Sequence, residues 1–196
     1  MISGLETLVE RINGLRMQKE RVIVAIEGDC TAGKTTLATA LHTALGGNLF
    51  HTDDFFLRSE QRTQARRLET GGNFDRERFR AEVIEPLVKG EAFCYRPYDC
   101  RQGKLSEPVA VSRQKINVVE GSYSLHPYLG NYFDLAVFME ISPSLQRARV
   151  EKRDIRLRQR FFEEWIPMEK AYFDGFQIKR RCDITIKAEE KNDGSD

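Results

Sequence analysis

No stretch of 18 apolar residues occurs in the 196-residue chain, and no apolar core follows basic residues at its N-terminus. A membrane span and a secretory leader are therefore not expected. Cysteine is scarce and scattered: Cys30, Cys94, Cys100 and Cys182 form no C-x-x-C pair. Such spacing argues against zinc or a disulfide framework and for free thiols in a reducing cytoplasm. An excess of one charge is also missing, since 31 Lys and Arg face 30 Asp and Glu, a net of +1. No overall field then favours nucleic acid or an anionic membrane as a partner. Internal repeats and low-complexity linkers are absent too. What remains is an ordinary globular composition, 40% hydrophobic and 31% charged, long enough to bury a sizeable core. Residues 1–196 read as one domain with at most a small insertion.

Against that plain background one stretch stands out, residues 22–38, VIVAIEGDCTAGKTTLA. Val22 to Ile26 have the continuous apolar character of a buried parallel strand. Gly28, Asp29, Cys30, Thr31, Ala32, Gly33, Lys34 and Thr35 then fit G-x-x-x-x-G-K-[ST], and a helical run follows from Thr36. Strand, glycine loop and helix in that order are the setting a phosphate-binding loop needs. The glycines permit torsions that turn successive N–H groups into one nest, and the helix N-terminus adds positive potential. Lys34 is spaced to reach β- and γ-phosphates, and Thr35 to offer a hydroxyl to Mg²⁺. The stretch reads as a nucleoside triphosphate site covering residues 28–36.

The flanking chain alternates strands and helices, which implies a parallel sheet of about five strands covered on both faces. Residues 3–19 place Leu5, Leu8, Val9, Ile12 and Leu15 on one helical face, with Ser3 and Glu6 at capping-box spacing. Asn48 to His51 is a short strand running into Thr52-Asp53-Asp54-Phe55-Phe56. Ligands of such sheets lie beyond the carboxyl ends of the strands, so Asp53 is a candidate for chemistry as well as for a turn cap. Residues 57–74 read as a mobile loop or short helix, 75–89 as a helix disturbed by Pro86, and 92–112 as a hairpin insertion. Ile116 to Val119 ends in Glu120, an acid placed to hold Mg²⁺ directly or through water. Leu135 to Ile141 and Asp183 to Ile186 complete the strands, and 188–196 reads as a disordered polar tail. Residues 147–160 carry six arginines and one lysine. Such a run is either a solvated helix face or a lid that closes over the transferring phosphate. The aromatic-rich helix after it, 161–179, reads mostly as core.

A guanine-reading N-K-x-D and a transporter L-S-G-G-Q are both missing, and the small size leaves a small-molecule kinase as the best fit. At the level of motifs the chain resembles the uridine kinases. G-D-C-T-A-G-K-T, T-D-D-F-F, N-F-D-R-E-R-F, Y-R-P-Y-D, V-V-E-G-S-Y-S-L and the R-x-x-x-R-D at 149–154 occur in that family's order. Nicotinamide riboside kinases share the layout, and pantothenate kinase and phosphoribulokinase share it more distantly. The resemblance covers about residues 20–187. It implies a P-loop NTPase three-layer α/β sandwich with a small hairpin and an Arg-rich lid, using ATP and Mg²⁺. It also implies Asp53 as general base, Glu120 with Thr35 at the metal, and Lys34, Arg149 and Arg153 on phosphate. Asp75 and Tyr98 fall at substrate-binding positions; helix capping by Asp75 and hairpin packing by Tyr98 are the competing readings. The implied partner is a small-molecule hydroxyl acceptor, most simply a nucleoside, with homo-oligomer formation left open. One departure bears on the acceptor: residues 99–107, DCRQGKLSE, lack the histidine that helps uridine kinases read the pyrimidine.

Overall fold

The computed structural model describes residues 3–189, so the expected tail lies almost wholly outside the described residues. Helix α1 (Leu5–Gln18) precedes strand β1 (Val22–Gly28), α2 (Lys34–Leu45) and β2 (Asn48–His51). A 3₁₀ turn over Thr52–Phe55 leads to α3 (Gln64–Leu68), α4 (Arg76–Phe79) and α5 (Glu85–Lys89). Four short strands follow, β3 (Phe93–Tyr95), β4 (Tyr98–Asp99), β5 (Lys104–Leu105) and β6 (Val109–Val111). The chain then forms β7 (Ile116–Glu120), β8 (Leu135–Glu140), α6 (Pro143–Glu151), α7 (Ile155–Arg160), α8 (Ile166–Gly175) and β9 (Ile184–Lys187). Five strands make one all-parallel sheet in the order β2-β7-β1-β8-β9. Beside it, β3 pairs antiparallel with β6, and the turn between them holds a second small ladder of β4 with β5.

The period-2 pleat sorts the sheet residues into two cores. Val22, Val24 and Ile26 point into an aliphatic layer with Leu8 and Ile12 of α1 and Leu37 and Leu41 of α2. Ile23 and Ala25 point the other way, into an aromatic layer with Phe50, Phe55, Phe74, Phe79, Tyr172 and Phe173. Each such large side chain contributes roughly 1.5–3 kcal/mol when fully buried. The expected pad formed by α1 is present, with Leu8 and Ile12 fully buried. Its expected capping box is not: Gly4 holds the N-cap position in a left-handed conformation, with no side-chain hydrogen bond.

Both expected helices that contain a proline widen just before it. A π turn spans Arg80–Ile84 ahead of Pro86, and another spans Phe161–Trp165 ahead of Pro167. The ring of proline crowds the carbonyl four residues back and offers no N–H, so the preceding turn opens. The second case also corrects the reading of 161–179 as mostly core. Phe161, Phe162 and Trp165 are only half-buried and pack on each other and on Arg147 and Arg160, while Tyr172 and Phe173 are buried.

Candidate active site

The carboxyl ends of β1, β2, β7 and β8 meet at one edge of the sheet, and the loop of residues 28–34 sits there. Gly28 must be glycine: its φ is 137°, and a Cβ would lie 2.1 Å from the Met139 carbonyl oxygen of the neighbouring strand. Gly33 has φ 104° with open space where a Cβ would be, so the loop's concave side is clear. Thr31 is also left-handed, at φ 64°, and its buried hydroxyl has no partner among the described residues. A β-branched residue in that region is strained, which is common where a ligand is gripped. The N–H groups of Gly33, Lys34, Thr35 and Thr36 donate to no carbonyl among the described residues, because α2 makes its first bond at Leu37. Four free amides, an orphaned hydroxyl and a clear cradle suit a polyphosphate.

Lys34 Nζ is folded along the loop, donating to the carbonyls of Gly28 at 2.6 Å and Asp29 at 3.1 Å. Burial disfavours its charge, yet the carboxylates of Glu169, Glu27 and Glu120 outweigh burial and raise its pKa. Thr35 Oγ1 donates to Glu120 Oε1 at 3.1 Å, so the two expected metal-binding oxygens converge. His51 Nδ1 lies 2.5 Å from the same Glu120 oxygen, and that hydrogen bond raises the histidine pKa. The oxygen pair from Thr35 and Glu120 is the donor chemistry a hard cation takes.

Asp53 follows β2 on the 3₁₀ turn, exposed at the lip of this crowded cleft. Crowding, then the negative charge of Glu120, push its pKa up, while Lys34 and His51 pull it down. Asp53 follows His51 by two residues, and His51 is paired across the sheet with Glu120. Burial also raises the pKa of Asp54, with His51 and Arg78 opposing it.

The remaining expected site residues are distributed less evenly. Asp75 is buried, its Oδ1 accepting from the Arg78 N–H at 3.2 Å and its Oδ2 from Gln61 Nε2 at 2.9 Å. It caps α4, which was the competing reading of its role. The Arg78 guanidinium stacks 4.1 Å over the Phe55 ring and donates to the Asp54 and Arg96 carbonyls. Tyr98 is buried within the β4–β5 ladder. Arg149 reaches the loop, Nη1 donating to the Thr31 carbonyl at 2.8 Å. Arg153 is exposed beyond the end of α6, so the two arginines are not brought together.

Two buried carboxylates escaped the sequence reading. Glu27 interrupts an otherwise apolar strand, which was the available signal. It accepts from the Gly28 and Leu125 amides and the Tyr172 hydroxyl, and burial raises its pKa to about 7. Glu169 gave no local signal at all. Its Oε2 accepts from the Cys30 N–H of the loop at 2.7 Å.

Comparison with known proteins bears on this geometry. No family model matches the chain. It is 26% identical over 187 residues to the uridine kinase of Geobacillus kaustophilus (strain HTA426), covering 87% of each. It is 27% identical over 176 residues to the phosphoribulokinase of Synechocystis sp. (strain ATCC 27184 / PCC 6803 / Kazusa), covering 78% of this chain but 52% of that protein. These similarities support a uridine kinase-like family of small-molecule kinases. The fold agrees: a possible uridine kinase from Bacillus stearothermophilus superposes with a TM-score of 0.66 at 21% identity, covering 91% of this chain and 98% of that one. The Saccharomyces cerevisiae protein YFH7, a P-loop kinase candidate with a circular permutation, gives 0.69 at 13% identity, covering 95% and 99%. The parallel sheet and its flanking helices are thus a P-loop NTPase α/β sandwich. The kinase is a phosphotransferase acting on an alcohol group of a small molecule, and relatives of this kind imply ATP as donor.

Proposed function

We propose that this kinase phosphorylates the 5′-hydroxyl of a nucleoside. ATP supplies the transferable γ-phosphoryl group, and Mg²⁺ neutralises charge on its phosphate oxygens. The free amides of Gly33 to Thr36 and the Lys34 ammonium hold the phosphates, and Thr35 and Glu120 hold the metal. Asp53 takes the proton of the acceptor hydroxyl as that oxygen attacks phosphorus. Arg149, already at the rim of the loop, stabilises charge on the transferring group, and Arg153 joins it as the lid closes. Tyr98 lines the acceptor side. Asp75 serves the acceptor once Gln61 gives up its Oδ2.

The observation that carries this reading is the position of Asp53 on the turn that follows β2, at the same carboxyl edge of the sheet as the loop and Glu120. A base must stand near the donor phosphate and its metal to work. The test is ADP release from ATP–Mg²⁺ with a panel of nucleosides, vitamins and sugars. One acceptor should stimulate turnover well above the rate with water alone. A slow rate indifferent to every acceptor would instead describe a regulatory ATPase. Within the kinases, a sugar alcohol is the second reading. The likeness to phosphoribulokinase and the lack of a histidine in residues 99–107 favour it.

A further inference from the structure

Glu169 lies on α8, far in sequence from everything it touches, and is 5% exposed. Burying a carboxylate costs several kcal/mol unless its oxygens are engaged, and here both are. Oε2 accepts from the Cys30 amide at 2.7 Å, while Oε1 accepts from the Ser122 hydroxyl and stands 4.0 Å from Lys34 Nζ. Ser122 continues the path, because its carbonyl accepts from the Thr52 hydroxyl at 2.8 Å. Thr52 is the residue before Asp53. Three hydrogen bonds thus run from the donor loop, through Glu169, to the turn that presents Asp53.

We propose that Glu169 is a positioning residue for phosphoryl transfer, setting the distance and angle between the phosphate loop and Asp53. The inference rests on the kinase reading above. A bond from a main-chain amide to a charged carboxylate is about twice as strong as a neutral one, so the Cys30 end of the loop is held firmly. The Cys30 carbonyl is fixed as well, by Gln146 Nε2 at 3.1 Å. The same α8 face supplies a second tie, since Tyr172, three residues on, donates to Glu27 Oε2 at 3.1 Å. Upstream, α8 continues through the π turn of Phe161–Trp165 into α7 and the arginine-rich segment. A displacement of that segment therefore reaches the loop through Glu169 as well as through the direct bond from Arg149 to the Thr31 carbonyl. Small errors of placement matter greatly when an attacking oxygen must meet phosphorus in line.

The test compares wild type, Glu169→Gln, Ser122→Ala and the double variant. Gln keeps the shape and one acceptor for Cys30 but loses the charge and the second lone-pair set. With ATP–Mg²⁺ and uridine as the probe acceptor, Glu169→Gln should lower kcat at least about tenfold while KM for ATP moves less than about threefold. Ser122→Ala should lower kcat less, and the double variant should lose less than the product of the two, because both act on one path. Hydrogen exchange of the peptide spanning residues 28–36, measured without nucleotide, should quicken in Glu169→Gln. A kcat within about twofold of wild type, or unchanged exchange, overturns the proposal. If wild type itself shows no turnover stimulated by uridine, the nucleoside reading fails, and the exchange measurement still decides whether Glu169 holds the loop.

Discussion

The donor and acceptor halves of the cleft are built from different materials. On the donor side the ligand-facing groups are main-chain amides with no other partner, set by glycine torsions and a helix N-terminus. On the proposed acceptor side they are side chains that already have partners: Asp75 accepts from the Gln61 side chain and the Arg78 main-chain N–H, and the Arg78 guanidinium donates to the Asp54 carbonyl and stacks on the Phe55 ring. A site made of backbone is pre-organised and tolerant of what lies beyond the phosphates. A site made of mutually satisfied side chains must exchange partners when its ligand arrives, and which partners yield determines what is accepted.

The sharpest way to test the contrast is to damage each half separately. Asp53→Asn should cut acceptor-stimulated kcat by about 10²–10⁴ through loss of general-base assistance, with ATP binding by calorimetry nearly intact. Near-normal turnover would remove Asp53 from the mechanism. Lys34→Ala should cost about 10²–10³ in kcat/KM and, unlike the first variant, weaken ATP binding as well. If titration found full ATP affinity in Lys34→Ala, the phosphate-gripping role of the loop would fail. On the acceptor side Asp75→Asn separates two roles, because asparagine caps a helix about as well as aspartate. The expected result is an acceptor KM raised about tenfold, the worth of a charged hydrogen bond, with the thermal midpoint and the KM for ATP unchanged. Equal KM values for both substrates would leave Asp75 as a cap alone.

The same division governs how much was legible beforehand. The five parallel strands, the flanking helices and the phosphate loop are written in contiguous residues whose periodicity and spacing carry the information. Asp53 was legible because position at a strand end restricts what an acid there can do. Glu169 was not: it meets Cys30 only because α8 packs across the edge of the sheet, and no local pattern encodes that. The missed cap at Ser3 has a different cause. Capping-box spacing is a local preference, and the left-handed Gly4, packed against Ile186, starts the helix one residue later. The π turns needed both a proline and a helix long enough to absorb it, and at Pro167 the aromatic pattern concealed the break.

A different effect belongs to Glu27, which sits under the donor loop and is read through stability instead of turnover. Its carboxyl is raised by burial from an ordinary 4.5 to about 7. Between those values the folded state holds a proton that the unfolded chain releases, so stability is highest below pH 4.5 and falls as pH rises toward 7. His126, held down from 6.5 to about 4 by burial, works in the opposite direction over much the same range, so wild type alone shows a muted slope. Glu27→Gln cannot ionise. In urea titrations from pH 4.5 to 8 it should gain stability relative to wild type as pH rises, by a few kcal/mol at most. A difference between the two proteins that stays constant across that range would mean Glu27 is ionised throughout. The loop would then rest on a fixed charge beside Lys34, and the donor half would depend on side-chain ionisation as much as the acceptor half does.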